Sequence, residues 1–162
     1  MKIVLYRPQI PQNTGNIART CGAANAGLVL AGTLGFSLAD RHMKRAGLDY
    51  WDRVDVQTID DLDAWLVQEE KPFFFFSSKA DKLYTEASFT TEALLIFGSE
   101  TEGLPEYLWE KYPDQFYTIP MAEGQRCLNL ASSAAIVLYE ALRQSKFTTL
   151  TKTTTPRDTA LS

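Results

Sequence analysis

With 162 residues, 45% of them apolar and 22% charged, the chain has the size and makeup of one globular domain and neither a disordered nor a fibrous composition. Its net charge of -4 and single histidine argue against binding nucleic acid through bulk positive charge, so any such site has to be local. No stretch reaches the roughly 18 apolar residues of a membrane span, the start Met1–Tyr6 breaks at Arg7-Pro8 too early for a signal peptide, and Cys21 and Cys127 lack CxxC spacing; the expectation is a cytoplasmic protein without disulfides, a structural zinc site or a membrane contact.

Lys2–Tyr6 reads as a first strand, followed by a loop stiffened by Pro8 and Pro11 that leads into Gln12-Asn13-Thr14-Gly15. A helix is predicted from about Asn16, with Ile17, Cys21, Ala24 and Leu28 near helical spacing, and Gly27 stopping it before the apolar run Leu28-Val29-Leu30. Lys44–Leu48 closes a short helix, Val54–Thr58 forms a strand, and Ile59–Glu69 carries Leu62, Trp65 and Leu66 on one helical face. Phe73–Phe76 and Ala93–Phe97 are continuous apolar runs, as in strands covered on both faces of a parallel sheet. Glu106–Lys111 supplies a short helix, Gln115–Ile119 a last strand, and Leu130–Arg143 a final helix with Leu130, Ala134, Val137, Leu138, Ala141 and Leu142 inward. The alternation is that of an α/β fold, with one domain over 1–147 and a Thr-rich, mobile tail over 148–162. Cys21, Trp65, Phe73–Phe76 and Tyr139 read as core.

In an open α/β sheet, ligands collect beyond the carboxyl ends of the strands. Three polar segments follow predicted strands there: Gln12–Arg19, Phe97–Pro105 and Ile119–Leu130. Gly98 and Gly103 have the spacing that opens a phosphate loop, but Leu104-Pro105 stands where lysine and a hydroxyl residue belong. No GxGxxG follows the first strand and no GxSxG accompanies His42, which argues against a nicotinamide-binding Rossmann site and a serine hydrolase. Taken alone, Asn13 or Asn16 is as well explained as a cap of the first helix, Asn129 as a cap of the last, and Arg19 as a solvated helix residue. Ser99 and Glu102 have capping-box spacing, and the structural role is preferred for Glu102.

Together the three segments resemble the three motifs of the SPOUT methyltransferases. Pro8-Gln9-Ile10-Pro11-Gln12-Asn13-Thr14-Gly15-Asn16-Ile17-Ala18-Arg19, Gly47-Leu48-Asp49-Tyr50 and Asn129-Leu130-Ala131-Ser132-Ser133 are similar to the minimal TrmL (YibK-like) branch, which methylates the ribose 2'-hydroxyl of the wobble nucleotide of tRNA. Three ordered motifs over roughly nine-tenths of the chain are a specific signal. The resemblance implies a knotted α/β fold, with a mostly parallel sheet, helices on both faces and a C-terminal trefoil knot; it also implies a homodimer. It implies S-adenosylmethionine as methyl donor without a metal, held by Phe76, Ser77, Gly98, Ile119, Met121, Cys127 and Leu128. Glycine at 98 is expected to let the backbone pass close to that ligand, and Ile119 and Leu128 to flank its ring.

Methyl transfer is a displacement at carbon, in which the 2'-hydroxyl is held in line and one proton is managed. The resemblance nominates Arg19 for the ribose and its phosphate; a guanidinium keeps its proton at neutral pH, so Arg19 is a clamp rather than a base. Glu100 either orients Arg19 or takes the proton, while Asn16 and Asn129 fix geometry. RNA contacts are expected from Asn13, Arg19 and Arg126 and from the basic stretch with Arg41, Lys44 and Arg45. Glu102 stands where related enzymes often carry arginine, and Cys127 where they commonly carry serine. The alternatives are a SPOUT enzyme acting on ribosomal RNA or another tRNA position, and a catalytically silent RNA-binding dimer.

Overall fold

The computed structural model describes residues 1–38 and 54–151. Seven strands, β1 (Lys2–Tyr6), β2 (Gly27–Ala31), β3 (Val56–Ile59), β4 (Phe73–Phe76), β5 (Lys82–Leu83), β6 (Leu94–Phe97) and β7 (Phe116–Thr118), form one sheet in the order β3-β2-β1-β6-β4-β7-β5. Every adjacent pair is parallel. The helices are α1 (Pro11–Ala24), α2 (Leu62–Glu69), α3 (Glu106–Lys111) and α4 (Leu130–Gln144).

Side chains alternate across a strand, and the burial pattern follows that period. Ile3, Leu5, Leu28, Leu30, Phe74, Phe76, Leu95 and Phe97 face one side, under Ile17, Ala18 and Cys21 of α1 and Ala134, Val137, Leu138 and Ala141 of α4. Val4, Val29, Phe75, Leu94 and Ile96 face the other, under Leu62, Trp65 and Leu66 of α2 and Leu108 of α3. Helices thus cover both faces, as the continuous apolar runs require. Each fully buried Leu, Ile or Phe contributes about 1.5–3 kcal/mol of burial, so these two layers supply most of the driving force. Among the described residues, no helix is long and apolar enough to cross a membrane.

Several boundaries differ from the sequence reading. Helix α1 begins at Pro11, five residues before Asn16, because proline's fixed φ and missing N–H suit the first helical turn. The segment expected as a loop is therefore mostly helix. That helix ends at Asn25, in the left-handed region at φ 50°, so Gly27 and Leu28 belong to β2. Asn tolerates this conformation and terminates a helix as glycine does. Helix α2 starts after Asp61, whose side chain accepts from Ala64 N at 3.1 Å; this cap moves the start past Ile59, which closes β3. The two-residue edge strand β5 and the short helical turns Tyr84–Glu86 and Pro113–Gln115 carry no periodic signal and were not expected; Gln115 lies in the second turn rather than in β7. Tyr139, expected in the core, is 45% exposed, since it follows Leu138 by one position and so turns about 100° off the buried stripe of α4. The expected helix Lys44–Leu48 and the basic stretch lie outside the described residues. Leu150 is half-buried against the α1/α4 layer, beyond the expected domain end at 147.

Candidate functional site

Helix α1 starts just beyond the carboxyl end of β1 and is entered through Gln9 and Ile10. Ile10, the residue that enters the helix, makes no side-chain cap. The carboxylate of Glu100 serves instead, across the fold: Gln9 N donates to its Oε2 at 2.9 Å and Ile10 N to its Oε1 at 3.2 Å. An anion at this end is also favoured by the aligned peptide dipoles of the helix. Asn13 Nδ2 donates to the same Oε1 at 3.0 Å.

Asn13 is only 7% exposed, so both ends of its amide need partners. Its Oδ1 accepts from Asn129 Nδ2 at 2.9 Å. Asn129 in turn caps α4, its Oδ1 accepting from Ala131 N at 2.9 Å and Ser132 N at 3.3 Å. One chain of hydrogen bonds, Glu100 to Asn13 to Asn129, thereby joins all three polar segments. Glu100 spends its lone pairs on three N–H donors, which makes it an organiser of the site. Asn13 lies inside the first turn and caps nothing, whereas Asn129 is both cap and link.

The segment after β6 folds back on itself. Ser99 N donates to Gly103 O at 3.1 Å and Gly103 N to Ser99 O at 3.0 Å. Ser99 Oγ accepts from Glu102 N at 3.1 Å, and Thr101 Oγ1 donates to Gln9 Oε1 at 2.9 Å. The Ser99/Glu102 spacing thus marks a loop contact rather than a helix start, and the Glu102 side chain is exposed. Gly98 is held to glycine by the fold of the loop itself. A Cβ there would stand 2.2 Å from the carbonyl carbon of Gly103 and 2.4 Å from Leu104 N. The loop's own backbone approaches closely at this position, and Gly98 also lines the cleft these segments form.

These segments enclose a cleft of about 540 Å³, within the size range of small-molecule and cofactor sites. It is lined by all seven residues expected to hold the cofactor, Phe76, Ser77, Gly98, Ile119, Met121, Cys127 and Leu128, and by Asn13, Glu100, Arg126 and Asn129. Phe76, Ile119, Met121 and Leu128 make an apolar wall, and Leu128 leaves 38% of its surface to solvent. Ser78, Lys79 and Ser133 also line the cleft and were not singled out. The rule that loops beyond strand ends carry the site covers Ser78 and Lys79, which directly follow β4.

Asn16 and Arg19 lie on the exposed side of α1 and are not among the residues lining this cleft. The structure therefore brings together Asn13, Glu100, Asn129 and Arg126 but leaves Asn16 and Arg19 outside. Arg41, Lys44 and Arg45 fall outside the described residues. A second cleft, of about 380 Å³, opens at the other end of the strands beside Met1, Lys2 and Glu92, away from all three polar segments. Cys21 is buried in the core, where desolvation pushes its thiol up to about 12. Among the described residues, no group of His, Cys, Asp and Glu is arranged to hold a metal ion.

Residues 1–139 match the model of the SpoU rRNA Methylase family. A tRNA (cytidine(34)-2'-O)-methyltransferase of Methylovorus glucosotrophus is 40% identical over 147 residues, covering 90% of this chain and 96% of the relative. A provisionally named enzyme of the same kind from Geobacillus stearothermophilus is 46% identical over 151 residues, covering 91% and 96%. Among solved structures, one described under structural insights into the 2-OH methylation of C/U34 on tRNA superposes with a TM-score of 0.84 at 40% identity, covering 90% of this chain and 96% of that one. The SpoU methyltransferase AviRb from Streptomyces viridochromogenes, in complex with AdoMet, superposes at 0.78 with 28% identity, covering 91% of this chain and 61% of that one.

Proposed function

The chain belongs to the SpoU rRNA methylase family, and on that premise we propose that it is a tRNA (cytidine(34)-2'-O)-methyltransferase, moving a methyl group from S-adenosylmethionine to the ribose of the wobble nucleotide. The observation that carries the reading is the convergence of the three motif segments on one cleft through the Glu100–Asn13–Asn129 chain. The names of the similar proteins, at 40–46% identity over nearly their whole length, support the tRNA position.

The cleft fits the cofactor by its chemistry. Phe76, Ile119, Met121 and Leu128 suit the flat, weakly polar faces of a purine, while main-chain groups at Gly98 and Cys127 supply donors and acceptors without added charge, beside Ser77. When bound, S-adenosylmethionine supplies a methyl group activated by a sulfonium. The residues of the chain contribute positioning, which can account for several orders of magnitude in rate. Glu100 fixes the start of α1 against the glycine loop, and Asn129 fixes the start of α4 against both. Arg19 in this reading holds the ribose and its phosphate by hydrogen bonds, donating and never accepting at neutral pH. Its place outside the cleft of its own chain favours a homodimer in which Arg19, Asn16 and the stretch with Arg41, Lys44 and Arg45 complete the site. Ile136 and Tyr139, large and exposed on α4 at 37% and 45%, offer the apolar surface such a pairing needs. A knotted C-terminus also belongs to the reading, supported by β7, the last strand, lying between the earlier β4 and β5. The catalytic domain is taken as 1–147, working in the cytoplasm with tRNA.

The test is transfer of labelled methyl groups to unmodified tRNA, with the product nucleotide mapped by nuclease digestion and mass spectrometry. The expected product is 2'-O-methylation at position 34, and Arg19→Ala is expected to lower kcat/KM by about 10²-fold or more with cofactor affinity kept, the order seen when one transition-state donor is removed. Methylation elsewhere overturns the wobble assignment and leaves the reaction class standing. Cofactor binding without transfer supports the alternative of a silent RNA-binding dimer.

A further inference from the structure

In an acidic chain, cations that no carboxylate neutralises mark where a polyanion can be held. Five basic side chains are spent on ion pairs: Lys2 with Asp55, Lys71 with Glu69, Lys82 with Asp114, Lys111 with Asp63, and Arg143 with Glu140. Lys79 and Arg126 have no such partner among the described residues, and both open on the 540 Å³ cleft. They reach it from different loops, Lys79 after β4 and Arg126 between β7 and α4.

The Lys79 backbone is held in place while its side chain is exposed. Ser77 N donates to Tyr117 O at 3.0 Å, Ser77 Oγ accepts from Lys79 N at 3.3 Å, and Ala80 N donates to Ser77 O at 3.3 Å. This turn presents an ammonium at the cleft mouth on a fixed base. Neither carboxylate on the same lining is ion-paired with it: Glu100 accepts from Gln9 N, Ile10 N and Asn13, and Glu102 stands in the glycine loop.

We propose that Lys79 is a substrate-positioning residue that binds a backbone phosphate of the RNA, acting with Arg126 as a two-point clamp at the cleft mouth. The proposal rests on the reading of this cleft as a site of RNA ribose methylation. A phosphate suits the pair better than the cofactor does. S-adenosylmethionine carries a sulfonium and an ammonium against one carboxylate and so is net positive, and a pair of cations gains less from it than from a phosphate. RNA offers one negative charge per nucleotide, and each contact made by Lys or Arg releases counterions.

The experiment measures tRNA affinity from low to moderate salt for wild type and Lys79→Ala, with steady-state kinetics and calorimetric titration of S-adenosylmethionine. Lys79→Ala is expected to lower the salt slope of log K by about 0.7–0.9 and to raise Kd and KM for tRNA about fivefold near 0.1 M salt. In the same variant kcat at saturating tRNA and cofactor affinity stay within about twofold of wild type. Lys79→Arg restores the slope, and Lys71→Gln, which removes the same charge ahead of the opposite end of β4, leaves it as in wild type. An unchanged slope in Lys79→Ala overturns the proposal alone, as does a fall in cofactor affinity, which assigns Lys79 to the cofactor carboxylate. Wild type that binds no tRNA overturns both this inference and the functional reading beneath it.

Discussion

Gly98→Ala separates a residue that serves a ligand from one that serves the fold. The added Cβ meets Gly103 C at 2.2 Å, Leu104 N at 2.4 Å and Gly103 O at 2.5 Å, whereas unstrained carbon contacts lie at about 3.5–4.0 Å. An overlap of more than about 1 Å against backbone cannot be absorbed by a rotamer change. The loop has to open, breaking the paired hydrogen bonds between Ser99 and Gly103. At about 1 kcal/mol for each bond, with about 1–3 kcal/mol of overpacking strain, Gly98→Ala should cost about 3–5 kcal/mol. Gly103→Ala is the control: nothing lies within 4 Å of its Cβ, but its φ of +70° disfavours a side chain, so the expected cost is about 1–2 kcal/mol. Guanidinium unfolding midpoints, compared at a common m value, measure both. A Gly98→Ala protein no less stable than Gly103→Ala, or one of full stability that has lost only cofactor affinity, would refute the loop-contact explanation.

Three further outcomes follow from the geometry. Asn129→Asp keeps an N-cap oxygen but turns the donor toward Asn13 into an acceptor; the cap is kept while buried Asn13 Oδ1 loses its partner, so stability should fall by about 1–3 kcal/mol and methyl transfer at least tenfold, and an active variant removes the link from the site. Cys21, raised to about 12 by burial, should resist alkylation at pH 8 until the protein is unfolded. Exposed Cys127, which lines the cleft, should react in the native protein and be protected by S-adenosylmethionine; peptide mapping by mass spectrometry distinguishes the two sites. Asp63 accepts from Lys111 Nζ and from Tyr112 OH at 2.6 Å, and these contacts, Lys111 first, hold its carboxyl below the ordinary 3.8. Its stabilisation is thus fully present above about pH 4 and lost as pH falls through the depressed value. Subtracting the denaturation profile of Asp63→Asn from that of wild type should show a difference that is flat near neutrality and declines only in acid; a flat difference down to pH 2 contradicts the assignment.

The layers of this fold are legible in the sequence because β1, β4 and β6 are continuous apolar runs and α4 carries an uninterrupted stripe from Ala134 to Leu142. The start of α1 is less so, since Gln12-Asn13-Thr14-Gly15 has the polarity of a turn; only Pro11 at the first helical position signals otherwise. Strand β5 is unreadable for a plainer reason. Two exposed residues, Lys82 and Leu83, have no period, and they form a strand only because Tyr117 and Thr118 offer free backbone groups beside them. At the site, the lining residues follow from strand ends and motif resemblance. Arg19 stands outside the cleft because it takes the exposed side of α1, while Ile17, Ala18 and Cys21 take the core side.

Cap and functional residue were rival readings of the asparagines, and the structure shows why local pattern could not choose between them. Asn129 uses one end of its amide for the cap and the other for Asn13, so its cap preference is genuine and its wider role leaves no local trace. Asn13 needs an amide for a related reason. A carboxylate there could accept from Asn129 but would repel Glu100, and a serine has too short a reach to replace two oppositely directed bonds. The partners of Asn13 are 87 and 116 residues away in the chain. Contacts of that separation pay their loop-closure entropy only when the sheet between them is already paired. The cleft should accordingly be among the last features to form, and a fragment lacking α4 should build the start of the sheet without acquiring the site.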